Sequence, residues 1–212
     1  MAHEGAQVRP TSRRSRPQPC AFIWDRSPQV TPRDRVLGHN PAMGHVVLVG
    51  LMGSGKTTVG AALAAALGVP YRDSDSEIQR DTGLTGRDLA ARDGIEALHA
   101  LEARHLLDAL ERPVTSVISA AASTLDDLVC RSRLHAPRHF VVWLQASPTE
   151  IAARLRPDDH RPDFGPDLAE VIRRQSLART EALKDVADLT LDATLPPPEL
   201  VATIVAHADG VR

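Results

Sequence analysis

The chain has 212 residues, 42% of them hydrophobic and 3% aromatic, with a formal net charge of −2 and two cysteines. That length allows one or two domains. So few aromatics exclude a base-stacking platform for nucleic acid, no apolar run is long enough to span a bilayer, and Cys20 and Cys130 form no C-x-x-C pair or ligand cluster, which makes a reducing cytoplasm the expected compartment.

Residues 1 to 42 hold Arg9, Arg13, Arg14, Arg16, Arg26, Arg33 and Arg35 against Glu4, Asp25 and Asp34, with repeated proline and few apolar positions. Seven cations against three anions give this segment +4 and leave −6 for the rest of the chain. It cannot bury enough apolar surface to offset its ordering entropy, so it is expected to be a disordered arm. It lacks the apolar h-region of a secretory signal, although an organelle transit peptide shares its arginine-rich, acid-poor character. Met43 stands immediately before the first strand pattern, and a translation start there is the alternative account of the arm. The folded part is therefore expected to be residues 43–212.

His45 to Val49 is apolar and β-branched, the pattern of a buried parallel strand. Directly after it, Gly50, Gly55, Lys56 and Thr57 fit G-x-x-x-x-G-K-[ST], the loop whose backbone N–H groups curl around phosphate oxygens. Only Lys56 and Lys184 are lysine in a chain otherwise served by arginine. A compact ammonium on a flexible stem reaches β/γ-phosphates where a planar guanidinium fits poorly, and the Thr57 hydroxyl would sit on Mg²⁺. Gly53, Ser54 and Thr58 complete the expected cradle. Thr57 to Leu67 then reads as a helix stopped by Gly68 and Pro70, aiming its N-terminus at bound phosphate.

After Tyr71-Arg72 come Asp73 and Asp75, either an acidic helix start or a catalytic carboxylate pair. Ser116 to Ala120 and Phe140 to Gln145 read as buried strands, Leu189 to Leu191 as a weaker one. Asp93 to Leu110, Pro148 to Leu155, Asp167 to Leu183 and Pro198 to His207 read as helices. This alternation predicts an α/β fold with a parallel sheet wrapped on both faces, and ligands collect beyond the C-terminal ends of such strands. The nine histidines show no metal-binding spacing.

From the phosphate loop through Asp73-x-Asp75, roughly residues 43 to 207, the chain resembles the shikimate kinases. The resemblance implies a three-layer P-loop NTPase fold of the nucleoside-monophosphate-kinase type, ATP and Mg²⁺ as cofactors, and a small-molecule acceptor bound by a monomer, with neither nucleic acid nor membrane as partner. It implies that Asp73 helps hold the Mg²⁺ water shell and that Asp75 orients the acceptor hydroxyls as candidate base. Arg154 matches the arginine that stacks on adenine and Pro198 a residue packing on it. Arg161, in a loop over 157–166, matches the lid arginine near the transferred phosphate, and Arg179 the clamp on the acceptor carboxylate.

Three departures bear on the acceptor. The family's second clamping arginine is His99 here, although Glu102 keeps its matching place; the family's Gly-Gly-Gly is Ala120-Ala121-Ala122; and no proline follows at two residues from Arg179. Ala121 and Ala122 remain candidate substrate contacts, but three Cβ atoms now stand where glycine gave open backbone and access to positive φ. The expected function is an ATP-dependent phosphotransferase acting on shikimate or a related hydroxy acid. The alternatives are a diverged kinase for another polyol or sugar acid and a non-catalytic ATP-binding module.

Overall fold

The computed structural model describes residues 44–155 and 167–210, together with Met1. Residues 2–42 of the arm, Met43 and residues 156–166, which include the loop with Arg161, lie outside the described residues. Strand β1 is Val46–Val49, buried along its whole length. Successive side chains of a strand face opposite ways, so this short apolar run feeds two cores. Val47 and Val49 enter one, Val46 and Leu48 the other.

Strands β2 (Tyr71–Asp73), β3 (Val117–Ser119), β4 (Phe140–Gln145) and β5 (Leu189–Asp192) complete a sheet of order β2-β3-β1-β4-β5. Every neighbouring pair is parallel, with Val46 opposite both Val117 and Phe140. The helices are α1 (Lys56–Leu67), α2 (Ser74–Thr82), α3 (Gly86–Asp93), α4 (Ile95–Leu110), α5 (Leu128–Leu134), α6 (Pro148–Arg154), α7 (Leu168–Val186) and α8 (Pro197–Gly210). Apolar residues of α1 and α8 cover the face of Val46 and Leu48; those of α4, α5 and α7 cover the face of Val47 and Val49. The expected parallel sheet with helices on both sides is what forms.

Four local features differ from the sequence reading. The helix expected over Asp93 to Leu110 begins two residues later, as α4 at Ile95, because Gly94 adopts φ 91°, ψ 159° and separates it from α3, which ends at Asp93. Helix α3 has its own start, a capping box between Thr85 and Asp88. A 3-10 turn over Ala122–Asp126 and helix α5 occupy a stretch with no predicted element. Cys130, read as part of a polar stretch, is 0% exposed on α5 and packs among Ala103, Leu106 and Leu134.

Candidate active site

The chain leaves β1 through Gly50, Gly53 and Gly55, all at positive φ (146°, 80° and 94°). At Gly53 the positive φ favours glycine, and a Cβ would also crowd the Leu155 side chain at 3.1 Å. Gly55 caps α1 with no side-chain hydrogen bond, leaving the helix N-terminus to a ligand. Buried beneath it, the Ser54 hydroxyl has no hydrogen-bond partner. The Lys56 ammonium donates to the carbonyls of Gly50 (2.8 Å) and Leu51 (3.1 Å), which pins it over the loop. A cradle of turned backbone, an uncapped helix start and an orphaned hydroxyl fits phosphate oxygens.

Asp73 serves two purposes with its two oxygens. Its Oδ1 accepts from the backbone N–H of Asp75 (3.1 Å) and Ser76 (3.3 Å), capping α2 as the helix-start reading required. Its Oδ2 accepts from the Thr57 hydroxyl (3.1 Å) and the Tyr71 hydroxyl (2.8 Å). Burial, with help from the charge on Asp73, pushes the Tyr71 hydroxyl above its ordinary range, so it remains a donor. The fixed carboxylate beside Thr57 is a pair of hard oxygen donors suited to Mg²⁺, an ion that keeps several of its waters. Among the described residues no group of three or more His, Cys, Asp or Glu is placed to hold a metal, so such an ion would rest on this pair, water and phosphate.

A cleft of about 410 Å³ opens beyond the C-terminal ends of the strands. It brings together the predicted Gly53, Gly55, Lys56, Thr57, Thr58, Asp75, His99, Ala121, Ala122, Arg154 and Arg179. Ser54 and Asp73 sit behind its wall. Pro198 is exposed near the start of α8 and does not line it, while Arg154 donates to the Ala193 carbonyl (2.9 Å) after β5. The backbone at the alanine triplet corrects one expectation: Ala121 has φ −64°, ψ 144°, and no described non-glycine residue has positive φ. Alanine there takes up volume without straining the chain.

Three lining or neighbouring groups, Asp126, Ser123 and Gln175, were not singled out from sequence. Asp126 holds the Arg179 guanidinium. Ser123 donates to the Glu102 carboxylate, which is 8% exposed and which burial, with the nearby Asp75 charge, pushes up to about 7. Gln175 lies four residues before Arg179 on α7 and shares its face, a spacing that could have been read from the sequence. His99 lines the cleft and is held below its ordinary value by burial first and by Arg179 next, which favours the neutral ring. The second carboxylate clamp of the resemblance is thus a largely uncharged donor or acceptor.

Fold and cleft together define a P-loop kinase for a small hydroxylated molecule. Comparison with known proteins narrows the class. The shikimate kinase family pattern matches residues 52–209, and the chain belongs to the shikimate kinase family. It is 33% identical over 165 residues to shikimate kinase 2 of Sodalis glossinidius, covering 76% of this chain and 93% of that one. It is also 33% identical over 160 residues to the shikimate kinase of Thermobifida fusca, covering 76% and 91%. Among solved structures, the Acinetobacter baumannii shikimate kinase in complex with shikimate superposes with a TM-score of 0.74 at 27% identity, over 79% of this chain and 94% of that one. A deoxyadenosine kinase from M. mycoides, at 13% identity and TM-score 0.53, shares the fold alone. The protein is a kinase with a hydroxyl group as acceptor.

Proposed function

We propose that the chain transfers the γ-phosphate of ATP to a hydroxyl of shikimate or a closely related hydroxy acid. The observation that carries this reading is the phosphate loop with its Thr57–Asp73 pair, set across one cleft from Asp75 and Arg179. Phosphoryl transfer asks mainly for positioning and charge compensation. Lys56 and the N-terminus of α1 supply positive potential to the phosphates. Thr57 and Asp73 would hold Mg²⁺, which would supply further charge compensation to the phosphates. Asp75 orients the acceptor hydroxyl and takes its proton as the new O–P bond forms and the bond to ADP breaks. Arg179 receives the acceptor carboxylate, Arg154 and Pro198 flank the adenine, and Arg161 compensates charge on the transferred group.

The same reading places the protein in the cytoplasm as a monomer. Among the described residues no helix is long and apolar enough to cross a membrane. Burial pushes the Cys130 thiol up to about 12, which leaves it unreactive.

The test is ADP release from ATP with and without shikimate. Shikimate-dependent release supports the assignment; release indifferent to every hydroxy acid offered overturns it. The neutral His99 and the methyl-lined floor favour one second reading, a kinase for another polyol or sugar acid, which a substrate panel separates from the first.

A further inference from the structure

Arg179 is the cation an acceptor carboxylate would meet, and another carboxylate already holds it. Asp126, closing the 3-10 turn after β3, takes the Nε–Nη2 edge of the guanidinium: Nε lies 3.1 and 3.2 Å from the two carboxylate oxygens, and Nη2 reaches Oδ2. Through such a fork arginine binds carboxylates with two parallel N–H bonds. The partners differ in environment. The Arg179 side chain is 11% exposed and fixed on α7 at the cleft wall, whereas that of Asp126 is 50% exposed. The arginine stays, and its carboxylate has a solvated place to go.

The other described charges do not relieve this competition. Lys56 is pinned over the phosphate loop, and Arg154 is drawn toward Ala193. His99 is held toward its neutral form, while Asp75 and the buried Glu102 are acids on the same side. Among the described residues, a carboxylate arriving at the acceptor half finds one cation there, shared with Asp126.

The geometry points to Asp126 as a specificity-determining residue: its carboxylate competes with the acceptor's for Arg179, so an anionic acceptor must displace it or share the guanidinium, while a neutral polyol carries no such penalty. This rests on the kinase reading of the cleft with Arg179 on the acceptor side. A half-exposed ion pair of this kind shifts a binding equilibrium by roughly fivefold.

The experiment compares wild type with Asp126→Asn and Asp126→Ala. It measures shikimate binding by calorimetry and, in steady state, kcat with KM for shikimate and for ATP. Both variants are expected to bind shikimate about fivefold tighter and to lower its KM equally, with kcat and the ATP KM within about twofold of wild type. The gain should vanish when Asp126→Asn is made on an Arg179→Gln background. Unchanged or weaker shikimate binding in both variants, in a protein that phosphorylates shikimate, overturns the competition and leaves the kinase function standing. No binding and no turnover in wild type and variants alike overturns the function and this assignment with it. Should the variants fail to fold, wild type decides: the methyl ester of shikimate is expected to bind within about threefold of the acid, and an acid more than about tenfold tighter refutes the proposal.

Discussion

Glu102→Gln should stabilise the protein, by an amount that depends on pH. Glu102 is 8% exposed, accepts a hydrogen bond from Ser123, and has its carboxyl pushed from the ordinary 4.5 to about 7, first by burial and further by Asp75. Between those two values the folded chain keeps a proton that the unfolded chain has lost, so wild-type stability falls as pH climbs through that window. A shift of this size corresponds to about 3 kcal/mol, all of it present once pH exceeds the folded value. Glutamine keeps the shape and an oxygen to accept from Ser123, yet never ionises. Urea unfolding of both proteins should therefore give nearly equal stabilities at about pH 5 and a variant more stable by about 3 kcal/mol at about pH 8, with the difference growing steadily between. A difference that stays constant across this range, or that favours wild type at high pH, refutes the argument that the buried carboxyl carries its proton near neutrality.

Lys56→Ala should lower kcat about 10²- to 10³-fold, since it removes the mobile ammonium at the phosphates; near-normal turnover would remove the basis for the phosphate-loop assignment. As pH climbs, neutralisation of His99 below its ordinary value and ionisation of Glu102 near 7 both make the acceptor half more negative, so the KM for shikimate should rise between about pH 5 and about 8 while the ATP KM changes less. A flat or falling shikimate KM would place these two groups away from the acceptor. Replacing His99 by Arg and Ala120, Ala121 and Ala122 by Gly restores a charge and space to the cleft and should raise kcat/KM for shikimate roughly tenfold. A rebuilt protein that still ignores shikimate but phosphorylates another hydroxy acid would favour the second functional reading.

The phosphate loop was legible because its chemistry is local: backbone turned around an anion needs glycine at fixed offsets, and a lysine and a hydroxyl must follow at once. The strands were legible for a similar reason, since β1 and β4 are buried on both faces and must be apolar throughout. What escaped depends on distance or on single torsions. Asp126 meets Arg179 from 53 residues away, out of a segment with no periodic pattern. The break at Gly94 turns on one backbone conformation inside an otherwise helical stretch. At Ala120–Ala122 the comparison with glycine foresaw the added methyls, but the ordinary torsion at Ala121 is visible only in the fold.

Helix α4 carries both His99 and Glu102, yet its two ends answer to different parts of the molecule. Its later turns, from Ala103 to Leu110, are set in the main core beneath the sheet. Leu98, one residue before His99, packs instead with Ile78 and Leu89 in a small satellite cluster. Three such side chains supply on the order of 5 to 9 kcal/mol of gross burial, against which α2, α3 and the first turns of α4 must all be ordered. Amide protons there should exchange through local openings well below the free energy of global unfolding, while those of β1 and β4 wait for the whole molecule. Substitutions on this flap of the fold are felt mainly by the flap. Asp75 rides on α2 within this flap while Lys56 and Thr57 start α1 outside it, and that leaves an acceptor site free to drift in sequence while the machinery that handles phosphate stays intact.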